Sequence, residues 1–285
     1  MKKFGGPVLR NDAYLDITVE YEEKHKIVWI YMNASPRQCF TLQMLQSILL
    51  CLNDIKRQKQ NNLGPEVRYA IIASKEKGIF NLGGDLDLFY KFITEGNQEG
   101  LLNYAITCID VLYTSMTHLE SNLTTISLVQ GEALGGGFEG ALSANVVIAE
   151  NGVSMGFPEI LFNLFPGMGA YNLLTARAGC VNAERIILSG QRYSAEHLSQ
   201  MGIIDILAEK GEGKSAVYSY IKRADRSPTG YAAIRQIRDR YNNISYEDLL
   251  QTVHLWVDTA LSLRQKDLRM MKRLIDKQSN KNAII

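Results

Sequence analysis

Three consecutive glycines, Gly135-Gly136-Gly137, stand directly before Phe138-Glu139 and shortly after the apolar stretch Thr125–Val129. Glycine inside a helix or strand costs roughly 0.5–1 kcal/mol against alanine. Three in a row therefore imply a geometry that side chains would spoil. Thr125–Val129 reads as a buried strand, and a helix beginning at about Gly136 leaves its first backbone N–H groups without partners. With no Cβ in the way, a ligand oxygen can approach those groups. A second glycine pair lies in Phe80-Asn81-Leu82-Gly83-Gly84-Asp85, again just after a short apolar strand, Tyr69–Ala73. N–H groups converging from two such loops make an oxyanion hole, which stabilises charge developing on a carbonyl oxygen. Two tight turns with close backbone packing would use the same glycines.

Two carboxylates accompany this arrangement. Glu139 falls in the first turn of the helix that follows the glycines, and Glu159 lies 20 positions on, behind Pro158 and among Met155, Phe157, Ile160, Leu161 and Phe162. Apolar flanks predict burial, and burial or a nearby like charge raises a carboxyl pKa. Such a group can transfer protons near neutral pH, a contribution of roughly 10²- to 10⁴-fold in rate. A lone glutamate is otherwise a cap or a surface charge.

The rest of the chain bounds the class. Its 285 residues are 46% hydrophobic and 21% charged with a net charge of +1, so no global field favours nucleic acid. Cys39, Cys51, Cys108 and Cys180 are far apart and read as reduced thiols. The N-terminal Met-Lys-Lys-Phe-Gly-Gly-Pro lacks a following apolar stretch, so no signal peptide is expected. No apolar run reaches about 18 residues, so no membrane span is expected. A soluble cytoplasmic protein is the expectation.

Residues 1–13 read as loosely ordered. A hairpin follows from Leu15–Val19 to Ile27–Met32, then a helix capped by Thr41 and running to about Arg57. A long helical stretch spans roughly Gly100 to Leu119, and Val146–Ala149 is another strand. Strands alternating with helices predict an α/β core over 1–210. Helical patterns around Ser215–Arg226, Thr229–Tyr241 and Tyr246–Leu263 predict a helical C-terminal region over 211–285. It ends in a basic stretch, Arg264 to Lys281, with seven basic and two acidic residues. That stretch suits a phosphate or an acidic protein face, and equally a solvated helix face.

Two other patterns compete. Gly135-x-Gly137-x-x-Gly140 matches the dinucleotide fingerprint, but the next strand ends near Glu150, too early for the ribose-binding acid. Gly152-Val153-Ser154-Met155-Gly156, with Asp205 and His254 downstream, matches a serine hydrolase. Asn151-Gly152 instead signals a two-residue hairpin that places Ser154 inside the returning strand, and Pro158 discourages an immediate helix. A serine hydrolase using Ser154 is the runner-up enzyme reading. His25, His118, His197 and His254 show no metal spacing.

Leu134-Gly-Gly-Gly-Phe-Glu139, answered by Pro158-Glu159 and accompanied by Phe80–Asp85, resembles the crotonase (enoyl-CoA hydratase/isomerase) superfamily over about residues 15–210. Ser35–Phe40, Phe80–Asp85 and the unbroken run Phe157–Gly169 are similar to the diffusible signal factor synthases, crotonase-fold enzymes that make cis-2-unsaturated fatty acid signals for quorum sensing. The resemblance implies a spiral of ββα units with a C-terminal helical extension, no cofactor and no metal. It implies dehydration of a 3-hydroxyacyl thioester on acyl carrier protein, then thioester hydrolysis. Ordinary hydratase or isomerase activity on coenzyme A thioesters is the alternative within the superfamily. Gly84 and Gly136 would supply the oxyanion N–H groups, Glu159 would take the α-proton, and Glu139 would serve the hydroxyl. Leu134, Met168, Trp256 and Leu274 are expected to line the acyl pocket. A homotrimer, or a dimer of trimers, and docking to the receiver domain of a sensor histidine kinase are further implications.

Overall fold

The computed structural model describes residues 13–121 and 123–279, so the expected loose segment lies almost wholly outside the described residues. One sheet takes the order β1 (Ile17–Glu22), β2 (Ile27–Met32), β3 (Tyr69–Ser74), β5 (Thr124–Val129), β7 (Val146–Glu150), β10 (Ile206–Ala208). A smaller one takes the order β4 (Gly78–Asn81), β6 (Gly131–Leu134), β8 (Ser154–Gly156), β9 (Arg192–Ser194). β1 and β2 form the expected antiparallel hairpin, and every other pair in the first sheet is parallel. β2, β5 and β7 are buried along their whole length, as parallel strands covered on both faces must be.

The chain repeats one move three times. β3, β5 and β7 each leave the large sheet and continue into the small one as β4, β6 and β8, which lie parallel to each other. β4 leads into α2 (Leu86–Thr94), β6 into α4 (Gly136–Leu142), and β8 into a 3-10 turn, Pro158–Phe162. This is the expected spiral of ββα units.

One strand comes in addition to those expected, and one local expectation is corrected. The segment Gly131–Leu134, which carries no strand pattern of its own, is strand β6; a Cβ on Gly131 would lie 2.2 Å from the Gly78 carbonyl carbon, so β4 and β6 touch backbone to backbone. Asn151-Gly152 does turn, with Gly152 at φ +81°, but no hairpin forms. β7 is already flanked by β5 and β10, so β8 departs to pair with β6, Met155 opposite Ala133. Ser154 still lies in a strand. Phe157, just before Pro158, is extended at φ −119°, ψ 94°, so no helix follows Ser154 at once; Pro158 itself opens the 3-10 turn, where its missing N–H is no loss.

The helices complete the layers. α1 (Leu42–Gln60) is capped by Thr41, whose hydroxyl accepts from Met44 N–H at 3.0 Å. α3 (Gln98–Met116) packs beside it, and α5 (Ala170–Ala178), α6 (Cys180–Ser189) and α7 (Ala195–Gln200) follow the 3-10 turn. The C-terminal region holds α8 (Gly213–Ala224), α9 (Pro228–Tyr241), α10 (Tyr246–Leu261) and α11 (Gln265–Ser279). Val217 and Ile221 of α8 cover Trp29, Ile71 and Ile126 on one face of the large sheet, while α10 joins the main core on the other. The basic stretch is mostly helix: Leu268, Met271 and Ile275 face inward at helical spacing, and Lys266, Arg269, Lys272 and Arg273 are exposed. Among the described residues no helix is long and apolar enough to cross a membrane. All four cysteines are unpaired.

Candidate active site

Each glycine of the triplet meets a different neighbour. Gly135 caps α4 at φ +50°, ψ −126°, a region open essentially to glycine alone, and a Cβ on it would sit 2.2 Å from Glu159 Oε1. Gly137 packs on β4, where a Cβ would fall 2.1 Å from the Asn81 carbonyl oxygen. Gly136 lies between them, its Cα facing the Gly83-Gly84 loop; a Cβ there would rest 3.4 Å from Gly84 N. As the first residue of α4, Gly136 has no carbonyl within the helix for its N–H.

The opposite loop is held from inside. Gly83, at φ +92°, donates its N–H to the side-chain oxygen of fully buried Asn81 at 2.8 Å, and its carbonyl accepts from Phe40 N–H at 2.7 Å. Buried Tyr104 donates to the Phe40 carbonyl and accepts from Asp85 N–H at 3.3 Å. Arg37 pairs with Asp85 at 3.2 Å and with Asp87 at 3.0 Å. Asn81 and Tyr104 carry no assigned part in the sequence reading. Nothing in a lone Asn or Tyr distinguishes it before the loop closes around it.

Glu139 is 3% exposed, and its Oε1 accepts two backbone N–H bonds, from Met168 at 2.9 Å and Ala170 at 3.0 Å. Glu159 rides on the 3-10 turn, and its buried Oε2 has no hydrogen-bond partner among the described residues. Burial pushes the Glu139 carboxyl up to about 7, against the pull of its two N–H donors. Burial, and then the charge of Glu139, push Glu159 up to about 8. Among the described residues no basic side chain lines the cavity they share, so the pair answers its desolvation by holding a proton.

Gly84, Gly136, Glu139 and Glu159 all line one cavity, walled chiefly by apolar side chains. Met168 and Trp256 line it too; the Trp256 ring lies over Gly167 and stacks edge-on against Phe89 at 5.1 Å. Leu134 and Leu274 line an adjoining cleft instead, on the far side of Glu159. The tertiary reason is that Leu134 ends β6 before the glycines turn the chain inward, and Leu274 sits on α11 outside the cavity wall. Gly84, Leu86, Glu159 and Phe162 border both spaces, and Glu132, paired with Arg192, gives the outer cleft a polar rim.

The competing patterns come apart in three dimensions. Asp205 is engaged by Arg177 at 2.9 Å and by Val147 N–H at 2.7 Å, while His254 is exposed on α10. Glu150, at the end of β7, is occupied by Gln130 and by the N–H groups of Gly211 and Gly213. His25 pairs with Glu22 and His118 with Asp239, and no cluster that could hold a metal occurs among the described residues.

A spiral of ββα units that sets two glycine loops and two buried carboxylates around one apolar cavity defines the crotonase class. Residues 22–279 match the family model described as enoyl-CoA hydratase/isomerase, and the chain belongs to that family. Among curated proteins, the fatty acid oxidation complex subunit alpha of Pseudomonas syringae pv. tomato is 27% identical over 223 residues, 70% of this chain and 29% of the relative. The same subunit of Pseudomonas putida is 26% identical over 66% of this chain and 26% of its own length, so the chain spans less than a third of these relatives. Among solved structures, Pseudomonas aeruginosa DspI shares the fold with a TM-score of 0.69 and 20% identity, over 92% of this chain and 95% of that one. Human mitochondrial delta3-delta2-enoyl-CoA isomerase shares it with a TM-score of 0.78 and 18% identity, over 93% and 100%.

Proposed function

We propose that the protein removes water from a 3-hydroxyacyl thioester carried on acyl carrier protein, leaving a cis-2 double bond, and then hydrolyses the thioester to the free acid. The observation that carries an acyl-thioester chemistry is the convergence of Glu139, Glu159, Gly84 and Gly136 on one apolar cavity. With the thioester carbonyl oxygen between the N–H groups of Gly84 and Gly136, negative charge on that oxygen is stabilised and the α-carbon acidified. One carboxylate takes the α-proton; the other, protonated, gives its proton to the departing hydroxyl, which leaves as water. A dyad sharing one proton near neutral pH starts with one base and one acid. In the second reaction a water activated between the carboxylates attacks the carbonyl and the carrier thiol leaves. The carrier protein, the cis product, the hydrolytic step, a trimer and a docking kinase rest on the resemblance of Ser35–Phe40, Phe80–Asp85 and Phe157–Gly169.

By that resemblance Glu159 takes the α-proton and Glu139 protonates the hydroxyl. Exchanged roles are favoured by one feature: two backbone N–H donors support the ionised form of Glu139, whereas Glu159 has none on Oε2 and holds its proton to higher pH. Exchange of the α-proton in heavy water separates the two, because the Glu→Gln variant that still exchanges has kept the base. Incubation with a medium-chain 3-hydroxyacyl carrier protein, followed by mass spectrometry, tests the whole reading. Release of a cis-2-enoic acid supports it. Turnover only of enoyl coenzyme A sinks the signal-synthase reading and leaves a hydratase or isomerase.

A further inference from the structure

We infer that the cavity is a gauge for acyl-chain length, closed at its deep end by Ser115 and Ser143, so that it selects medium-chain acyl groups; the inference rests on the acyl-thioester reading above. Two helices run along the cavity. On α4, Gly136, Glu139, Gly140 and Ser143 line it at helical spacing, and on α3 so do Cys108, Val111, Leu112 and Ser115. Both rows pass the reaction centre. Gly136 faces the Gly83-Gly84 loop, and Cys108 lies close enough to Glu139 for that charge, after burial, to raise its thiol. Both end together: the Thr125 hydroxyl donates to the Ser115 carbonyl at 3.2 Å and accepts from Asn145 N–H at 3.0 Å, two residues past Ser143. Seven residues of helix at 1.5 Å each put either serine about 10 Å beyond the reaction centre.

The two serines differ from the walls above them. Ser143 Oγ is satisfied by the Gly140 carbonyl at 2.8 Å. Ser115 is 1% exposed, and its Oγ has no hydrogen-bond partner among the described residues. An acyl chain that reaches that hydroxyl also bars water from it, which is unfavourable for a buried donor. A chain that stops short of it incurs no such penalty and buries its methylenes against Val111 and Leu112. Length discrimination therefore comes from both the closed end and its polarity.

The test uses N-acetylcysteamine thioesters from 3-hydroxyoctanoyl to 3-hydroxyhexadecanoyl, which need no carrier. Wild type should peak at a middle length. Ser115→Leu should lower kcat/KM for the longest accepted chain at least tenfold and leave 3-hydroxyoctanoyl within twofold. Ser115→Ala, which only removes the hydroxyl, should extend acceptance to the next longer chain. A uniform change at all lengths, or an unchanged profile in Ser115→Ala, overturns the gauge. Calorimetric binding of the matching saturated fatty acids gives a readout independent of turnover. Affinity should stop rising at the same length; a rise that continues to hexadecanoic acid overturns the gauge, and failure to turn over any thioester counts only against the proposed function.

Discussion

Glu159 rests its carboxylate on the backbone of Gly135, with Oε1 so near that a Cβ at 135 would lie 2.2 Å away. The residue that links β6 to α4 thus seats a side chain delivered by the next turn of the spiral. Gly135→Ala must both adopt a disfavoured backbone and displace Glu159. A loss of about 1–3 kcal/mol in unfolding free energy is expected from the backbone alone, together with loss of turnover; chemical denaturation and a kinetic assay check both.

Gly136→Ala separates chemistry from folding. The added methyl would lie in ordinary contact, 3.4 Å from Gly84 N, so the fold tolerates it while the space between the two loops fills. A melting temperature within about 2 °C of wild type is expected, and for a protein this size that corresponds to less than about 1 kcal/mol. Turnover should fall by about 10²-fold or more, as for loss of an oxyanion-hole donor. Unimpaired turnover would remove Gly136 from the site.

Glu139→Gln and Glu159→Gln should each stay folded and lose dehydration by roughly 10²- to 10⁴-fold. Full activity in either variant would overturn the two-carboxylate mechanism.

The same carboxyls tie stability to pH. Each has its folded pKa raised above the ordinary 4.5, to about 7 and about 8, so between about pH 4.5 and 8 the folded state binds more protons than the unfolded state. Their contribution to stability is therefore complete below about pH 4.5 and declines as pH rises through 8. Denaturation curves from pH 5 to 9 should show wild type losing more stability than the Glu139→Gln, Glu159→Gln double variant. Parallel curves would mean the pair is not desolvated.

Tyr104→Phe removes one hydroxyl that serves Phe40 and Asp85 on either side of the Gly83-Gly84 loop. A loss of about 1–3 kcal/mol is expected for the unsatisfied buried carbonyl. Because the loop loosens, kcat should drop more than KM rises; a stability loss with unchanged kcat would make Tyr104 purely structural.

Much of this is legible in the chain itself. Apolar runs located the strands Tyr69–Ala73, Thr125–Val129 and Val146–Ala149, because a strand covered on both faces is apolar throughout. The short strands Gly78–Asn81 and Gly131–Leu134 were not legible, since each has four residues and a glycine at its start. Their pairing is set by the spiral, not by local preference. Likewise Asn151-Gly152 specified a turn, and only the occupied edges of β7 decided that the chain would not fold back on itself.

At the site, the residue types themselves announced two glycine loops and two carboxylates among apolar neighbours. Sequence could not say that one glycine receives a carboxylate and another a strand backbone, that Met168 and Ala170 hold Glu139, or that Leu134 and Leu274 border a different space from Met168 and Trp256. Chemical capacity belongs to residue type and is written in the chain. Whether an oxygen is buried, paired or left open depends on neighbours remote in sequence, and only the closed fold brings them together.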